Sequence, residues 1–184
     1  MAVEIERKFL VRNDDWRKLA VRTKHICQGY LGREGGLSTR VRIVDNRDAK
    51  LTVKSGRASL RRLEFEYPIP LADAEQLLSL RHGELISKVR HIVPWQGLTW
   101  EIDEFQGDNA GLVIAEIELD HETQSLDLPH WTGAEITGQA AYYNSSLAVR
   151  DFQSWNSQRG KGDQSTSWQF RDDSFQPPLP LPMD

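Results

Sequence analysis

The chain has 184 residues and a formal net charge of -4, which allows one domain with an appendage and a sizeable core. No stretch approaches the roughly 20 consecutive apolar residues of a membrane-spanning helix, and no apolar run follows a charged start as in a secretory signal. The single cysteine, Cys27, excludes an internal disulfide framework and does not favour a thiolate zinc site. We therefore expect a cytoplasmic protein, and the acidic balance argues against a nucleic-acid partner.

Short runs in which apolar and polar residues alternate predict eight strands. The strands lie near residues 2–11, 25–33, 38–45, 49–55, 62–69, 84–94, 97–105 and 111–119. Asn13 and Asp14 can cap a short helix that reaches Leu19, and a second helix is predicted after Pro70. The order is strand, helix and three strands, twice over, which indicates a doubled unit. Turn residues at 45–48 and 95–97 predict hairpins between neighbouring strands.

The remainder of the chain has a different composition. A connection containing Pro, Gly and Trp leads to a predicted short closing helix near residues 142–149. Beyond Trp155 the sequence is rich in Ser, Gln, Gly and Asp and ends in a proline-rich segment. We therefore predict a domain at 1–155 and a polar, proline-rich tail at 156–184 that is disordered, with a proline-rich docking segment as the alternative.

Nearly every predicted strand carries its charges at alternate positions, so that the charges of a strand share one face. The acids are Glu4, Glu6, Glu64, Glu66, Glu101, Asp103, Glu116 and Glu118, and the bases are Lys8, Arg40, Arg42, Lys54, Lys88 and Arg90. An ordinary sheet with its charged face in water would explain simple alternation. Repeated charge at consecutive positions of one face favours a mainly antiparallel α+β fold instead. In that fold, eight strands close into a barrel with a charged interior and a few flanking helices.

A charged interior favours bound ions that offset its charges. Carboxylates held a few Å apart repel one another, and a hard cation relieves that repulsion. Oxygen ligands without cysteine or a paired histidine motif favour Mg²⁺ or Mn²⁺. Clustered arginine and lysine favour a multiply charged anion, because a guanidinium matches phosphate with two hydrogen bonds. Both sets of side chains together predict a metal–polyphosphate complex.

The sequence resembles the CYTH superfamily, the triphosphate tunnel metalloenzymes, and most of all its short bacterial inorganic triphosphatases. The match begins with Glu4-x-Glu6-x-Lys8 and continues in order through Gln28-Gly29-Tyr30-Leu31, Arg40-Val41-Arg42, Glu64-Phe65-Glu66, Lys88-Val89-Arg90, Glu101-Ile102-Asp103 and Gly133-Ala134-Glu135. It covers residues 2–150. The resemblance implies an antiparallel barrel with a tunnel, in which triphosphate substrates are bound with a divalent metal and are cleaved or cyclised.

The resemblance also assigns roles to individual residues. Glu4, Glu6, Glu116 and Glu118 would be the principal metal ligands, with Asp103 and Glu64 nearby, whereas Glu66 and Glu101 can pair with arginine instead. Lys8, Arg40, Arg42, Lys54, Lys88 and Arg90 would hold the phosphates. The hydroxyl of Tyr30 would contact Lys8, or its ring would only pack in the wall. Catalysis would rest on Glu4, Glu6, Lys8, Tyr30, Glu116 and Glu118, with a carboxylate or a second metal orienting the attacking water.

The expected reaction is hydrolysis of inorganic triphosphate to pyrophosphate and phosphate. Thiamine or nucleoside triphosphatase activity remains an alternative, because Trp16 or Trp95 could line a pocket for an organic group. A class IV adenylate cyclase is disfavoured, because the His-Phe pair usual before the motif is missing ahead of Glu4. A polyphosphate-binding module without catalysis and an RNA 5′-triphosphatase are further alternatives. The sequence does not choose between a monomer and a homodimer.

Overall fold

The computed structural model describes residues 3–34, 37–55 and 61–154, so the predicted tail at 156–184 lies outside the described residues. Within them, nine strands form one sheet in which every pairing is antiparallel. The strands are β1 (Val3–Val11), β2 (Arg22–Glu34), β3 (Leu37–Val44), β4 (Asp48–Ser55), β5 (Arg61–Ile69), β6 (His82–Trp95), β7 (Leu98–Phe105), β8 (Val113–Glu118) and β9 (Thr132–Glu135). The helices are α1 (Leu71–Ser79), α2 (Asn144–Leu147) and 3-10 helices at Asp15–Leu19, Gly107–Asn109 and Ala140–Tyr142.

The strand order in the sheet is β5-β4-β3-β2-β6-β7-β8-β1-β9, and β1 pairs in addition with β5. Each strand from β1 to β8 therefore has two neighbours within this set of eight. Along the chain, β1, a 3-10 helix and three strands are followed by β5, α1 and three strands. This order confirms the predicted repetition of strand, helix and three strands.

Two hairpins have the turns that the sequence predicts. Between β3 and β4, Asp45 and Asn46 both have φ of 52°, and the Arg47 amide donates to the Val44 carbonyl at 3.0 Å. Between β6 and β7, φ is 47° at Gln96 and 77° at Gly97. Positive φ at both central residues is the type I′ geometry, whose twist matches that of the flanking strands.

Other elements differ from their predicted extent. β2 and β6 each begin before the alternation becomes regular, at Arg22 and His82. The closing helix is divided into the 3-10 helix Ala140–Tyr142 and α2. The four-residue β9 was not predicted, because Thr-Gly-Ala-Glu has no alternating pattern and forms a strand only through pairing with β1.

Aromatic side chains form a core against the apolar faces of β1, β7 and β8. The Trp100 ring lies 5.7 Å from the Phe9 ring and 5.1 Å from the Trp131 ring, between centroids. Trp16, from the first 3-10 helix, belongs to the same cluster. All four side chains are at most 1% exposed, so this cluster contributes much of the hydrophobic stabilisation.

The outward faces of β3 and β4 are covered by α1. Val41 and Ala49 pack against Ala74 and Leu78 of the helix. The apolar side chains of β3 and β4 thus lie on one face of the sheet, beneath a helix, as the alternation predicts. No helix in the described ranges is long and apolar enough to cross a membrane.

Trp100→Ala is expected to lower the free energy of unfolding by about 3–5 kcal/mol, because it leaves a cavity in a fully buried aromatic cluster. Urea unfolding followed by circular dichroism measures the change. Tyr67→Ala is the control: it removes a ring that is 54% exposed, and its expected effect is about 0.5 kcal/mol. Equal unfolding midpoints for the two variants would contradict the assignment of Trp100 to the core.

Candidate active site

One face of strands β1 to β8 carries the charged side chains that the sequence singles out. Residues opposite one another on antiparallel strands share a face, and the register pairs Lys8 with Glu116, Arg90 with Asp103, and Lys54 with Glu64. We call this set the charged face. It comprises Glu6, Lys8, Gln28, Tyr30, Arg40, Arg42, Lys50, Thr52, Lys54, Glu64, Glu66, Lys88, Arg90, Glu101, Asp103, Glu116 and Glu118.

Asp103 is the centre of a buried ion network on this face. It is fully buried, as is Lys88, and its two oxygens accept from Arg90 Nε and Nη2 at 2.7 Å each and from Lys88 Nζ. Burial acts to raise the pKa of Asp103, but the attraction of Arg90 and Lys88 is stronger and lowers it. Burial lowers the pKa of Lys88 to about 8 despite the attraction of Asp103, with Arg90 acting in the same direction as burial.

Glu116 connects this network to β1. One of its oxygens accepts from Lys8 Nζ, and the other accepts from Arg90 Nη2 at 2.7 Å. Lys8 Nζ also lies 3.1 Å from Glu6 Oε2. Burial opposes the charge of Glu116, but Lys8 and Arg90 hold its pKa well below the usual range. Likewise burial acts to lower the pKa of Lys8, and the attraction of Glu116 and Glu6 raises it overall. Glu116 therefore bridges two cations that favour its ionised form.

A second ion network lies on β3, β4 and β5. Glu64 accepts from Arg40 Nη2 at 3.2 Å and lies 2.7 Å from Lys54 Nζ. Glu66 accepts from Lys50 Nζ at 2.7 Å and from the Thr52 hydroxyl at 3.2 Å. Burial alone would raise the pKa of Glu66, but the Lys50 hydrogen bond and charge lower it. Sequence reasoning assigned no role to Lys50 or Thr52, although both follow the same alternation along β4.

Arg42 lies between the two networks and differs from the other bases. Its Nε donates to Gln28 Oε1 at 3.2 Å, and none of the described carboxylates is within ion-pair distance of its guanidinium. Burial, together with repulsion from Arg40 and Arg90, lowers its pKa to about 10. The attraction of Glu66 and Asp103 acts in the opposite direction. At neutral pH the guanidinium remains charged, so among the described side chains it is a cation whose nearest carboxylates lie beyond ion-pair distance.

Tyr30 occupies the place where the charged face meets an apolar cluster. Its hydroxyl accepts from Gln28 Nε2 at 3.4 Å, whereas Lys8 contacts Glu6 and Glu116. The packing role foreseen for this ring is therefore present. The cluster combines Tyr30, Ile86, Phe105 and Ile114 with Tyr142 and Leu147 from the last described segment.

The predicted metal ligands other than Glu4 lie on the charged face, and their described side chains do not form a closed cluster. Within the described side chains, no three His, Cys, Asp or Glu residues are grouped so as to hold a metal ion. Glu6 stands directly opposite the exposed Glu118, and Glu116 stands opposite Glu101. The backbone of Glu4 pairs with Arg62, but its side chain lies outside the described part, and its role stays a prediction.

Comparison with known proteins identifies the family of this chain. The sequence pattern of the CYTH domain matches residues 2–150.

The chain belongs to the CYTH domain family.

Relatives within the CYTH family extend over most of this domain. An inorganic triphosphatase of Acetivibrio thermocellus is 40% identical over 156 residues, which cover 84% of this chain and 99% of the relative. An inorganic triphosphatase of Nitrosomonas europaea is 33% identical over 152 residues, covering 79% of this chain and 97% of the relative. The crystal structure of an inorganic triphosphatase superposes with a TM-score of 0.60 at 30% identity, covering 81% of this chain and 96% of that chain.

Asp103→Asn is expected to lower the free energy of unfolding of this CYTH protein by about 3–5 kcal/mol, because it leaves buried Lys88 and Arg90 with less counter-charge. Denaturant unfolding in a buffer with a chelator measures this without any contribution from metal. Asp108→Asn, at an exposed position, is the matched control, with a change of about 0.5 kcal/mol or less. An unchanged midpoint for Asp103→Asn would show that Asp103 does not hold this network together.

Proposed function

We propose that the chain hydrolyses inorganic triphosphate to pyrophosphate and phosphate on the charged face. The observation that carries the proposal is the position of Arg42, a partly buried cation between two ion networks without a described carboxylate in ion-pair range. Such a cation favours a guest with several negative charges. Two curated relatives named inorganic triphosphatase, which match nearly over their whole length, support the same reaction.

The proposed site is the interior of a closed barrel formed by β1 to β8. Pairing of β1 with both β5 and β8 supports this closure, since no strand of the eight then has an unpaired edge along its whole length. Closure would turn the charged face inward, away from the apolar clusters that pack outside. The low dielectric of such an interior would strengthen each contact between a base and a phosphate.

The bases on the charged face are proposed to bind the phosphates. Arg42 would make the first contacts, because it gives up no ion pair to do so. Arg40 and Lys54, now paired with Glu64, and Lys8 and Arg90, now paired with Glu116, would share their hydrogen bonds with phosphate oxygens. These existing pairs hold the bases in extended positions before the substrate arrives, which reduces the entropy lost on binding.

The donor set fits a hard divalent cation, for which we propose Mg²⁺ or Mn²⁺. Glu6, Glu116 and Glu118 would hold it, together with Glu4 as the sequence predicts. Carboxylates directly opposite one another, as in Glu6 and Glu118, repel unless a cation separates them. A carboxylate offers about four lone-pair sites, so Glu116 can accept from Lys8 and Arg90 and still bind metal. When bound, the cation would offset phosphate charge and polarise a phosphoryl oxygen.

The chain's own residues supply positioning and a base. Phosphoryl transfer needs alignment and charge stabilisation more than covalent chemistry. We assign the orientation of the attacking water to a carboxylate on the Glu116 and Glu118 side of the charged face, or to a second metal held there. Lys88 and Arg90 would stabilise the charge that develops on the departing pyrophosphate.

A cytoplasmic location and a polar tail after residue 155 remain predictions.

A phosphate-release panel tests the substrate. With Mg²⁺ or Mn²⁺, tripolyphosphate is expected to be hydrolysed faster than ATP or thiamine triphosphate, and pyrophosphate is expected to persist as a product. The measurement is phosphate release for each substrate with each metal, with Ca²⁺ as a third metal. Preference for ATP with a cyclic product would identify a cyclase instead, and intact tripolyphosphate at stoichiometric protein would identify a binding module.

Glu6→Gln is expected to reduce hydrolysis by more than about 100-fold, beyond the range typical of residues that only support a metal ligand. Mn²⁺ binding, followed by the loss of its free electron paramagnetic resonance signal, should weaken in parallel. Glu75→Gln, on the exposed side of α1, is the matched control and should keep both properties. A folded Glu6→Gln protein with undiminished hydrolysis would refute the ligand assignment.

A further inference from the structure

We propose that Gln28 is a positioning residue that fixes the guanidinium of Arg42 for anion binding without adding a counter-charge beside it. The inference deepens the proposed function, since it names a determinant of affinity for the triphosphate. Gln28 is fully buried and stands directly opposite Arg42 on the neighbouring strand. Gln28 is uncharged, and the sequence alone assigns it no catalytic or binding role.

The hydrogen bonds of Gln28 allow one orientation of its amide. Arginine has only donors, so the atom of Gln28 that faces Arg42 Nε at 3.2 Å must be the carbonyl oxygen. The amide nitrogen then donates to the Tyr30 hydroxyl at 3.4 Å. Tyr30 is itself anchored in the apolar cluster with Ile86 and Phe105. The packed ring therefore holds the amide, and the amide holds the guanidinium.

A neutral partner distinguishes Arg42 from its neighbours on the charged face. Lys8, Arg40 and Lys88 each contact a carboxylate. A glutamate in place of Gln28 would occupy nearly the same volume, could accept from Arg42 in the same way, and would neutralise it. Within the described part of the chain, Gln28 Oε1 accepts from Arg42 Nε and not from its Nη groups. The two Nη groups of Arg42 therefore stay available for a bidentate contact with phosphate.

Repulsion from Arg40 and Arg90 disfavours the charged guanidinium of Arg42 when no anion is bound. Burial and these two cations lower the pKa of Arg42, and the attraction of Glu66 and Asp103 offsets this only in part. An anion bound at Arg42 would relieve the repulsion, whereas a glutamate at position 28 would relieve it permanently. Stability of the empty protein and affinity for the anion should therefore change in opposite directions when Gln28 is replaced by Glu.

The test is a double-mutant cycle of Gln28→Met and Arg42→Met, with tripolyphosphate binding measured by calorimetry in chelated, metal-free buffer. Gln28→Met alone is expected to weaken binding about fivefold to tenfold, the scale of a lost hydrogen bond to a charged group. In the Arg42→Met background the same change should have no further effect, since Gln28 acts through Arg42. An equal loss in both backgrounds would overturn the proposal.

Gln28→Glu is the second variant, and it separates positioning from packing. It is expected to weaken tripolyphosphate binding by about tenfold or more, to reduce the salt dependence of binding, and to keep or raise the thermal midpoint of the empty protein. If Gln28 had only a structural role, a Gln28→Glu protein of undiminished stability would bind tripolyphosphate with normal affinity. Unchanged affinity in Gln28→Glu would overturn the proposal.

Controls and a separate activity measurement complete the design. Gln76→Glu and Gln76→Met, at an exposed position of α1, make the same chemical changes away from the charged face and should leave binding unchanged. Phosphate release by the unaltered protein with metal tests the proposed function, whereas coupling between positions 28 and 42 in metal-free binding tests this inference. Failure of the proposed hydrolysis is thus distinguishable from failure of the proposed role of Gln28.

Discussion

Compensation of charge across neighbouring strands is the constraint on which the rest of the structure depends. Placing charges on one face of every strand brings like charges opposite one another, as with Glu101 and Glu116. The structure resolves this repulsion by inserting a cation: Arg90 contacts both of these carboxylates and Asp103 as well. Since an unpaired buried charge costs several kcal/mol, each strand is held in the register that supplies its partners.

Stability and function are thereby assigned to opposite faces of the same strands. Buried ion pairs contribute little net stability, because desolvation offsets most of their attraction. The opposite, apolar faces instead pack around Trp100 and beneath α1, where burial of apolar surface is favourable without such an offset. The charged face is consequently available for binding, and its side chains are already held in place by one another.

In the proposed function, selectivity for a highly charged anion would follow from where charge compensation is weakest. Most bases on the charged face would exchange a carboxylate for a phosphate, so their net gain on binding would be small. Arg42 would gain a direct anionic partner, because Gln28 accepts from its guanidinium without supplying a negative charge. One neutral side chain among many charged ones would thus determine where the first strong contact with an anion forms.

Much of the fold and many of the candidate site residues could be predicted from the sequence. Alternation at period two placed the eight long strands, the turn residues marked two hairpins, and the order of motifs identified the CYTH family. Local signals sufficed there because side chains on a strand alternate between faces whatever the tertiary context. The roles assigned to individual residues, including the metal ligands, remain predictions.

Only the tertiary structure decided which charges meet. The strand β9 exists through its pairing with β1, the partners of Asp103 depend on the register of β6 against β7, and Lys50 meets Glu66 across β4 and β5. Gln28 belongs to a motif of the family match, but its contacts with Tyr30 and Arg42 depend on the pairing of β2 with β3. The physical reason is that the alternation along one strand specifies a face, whereas the identity of a partner depends on which strand pairs with it and in what register.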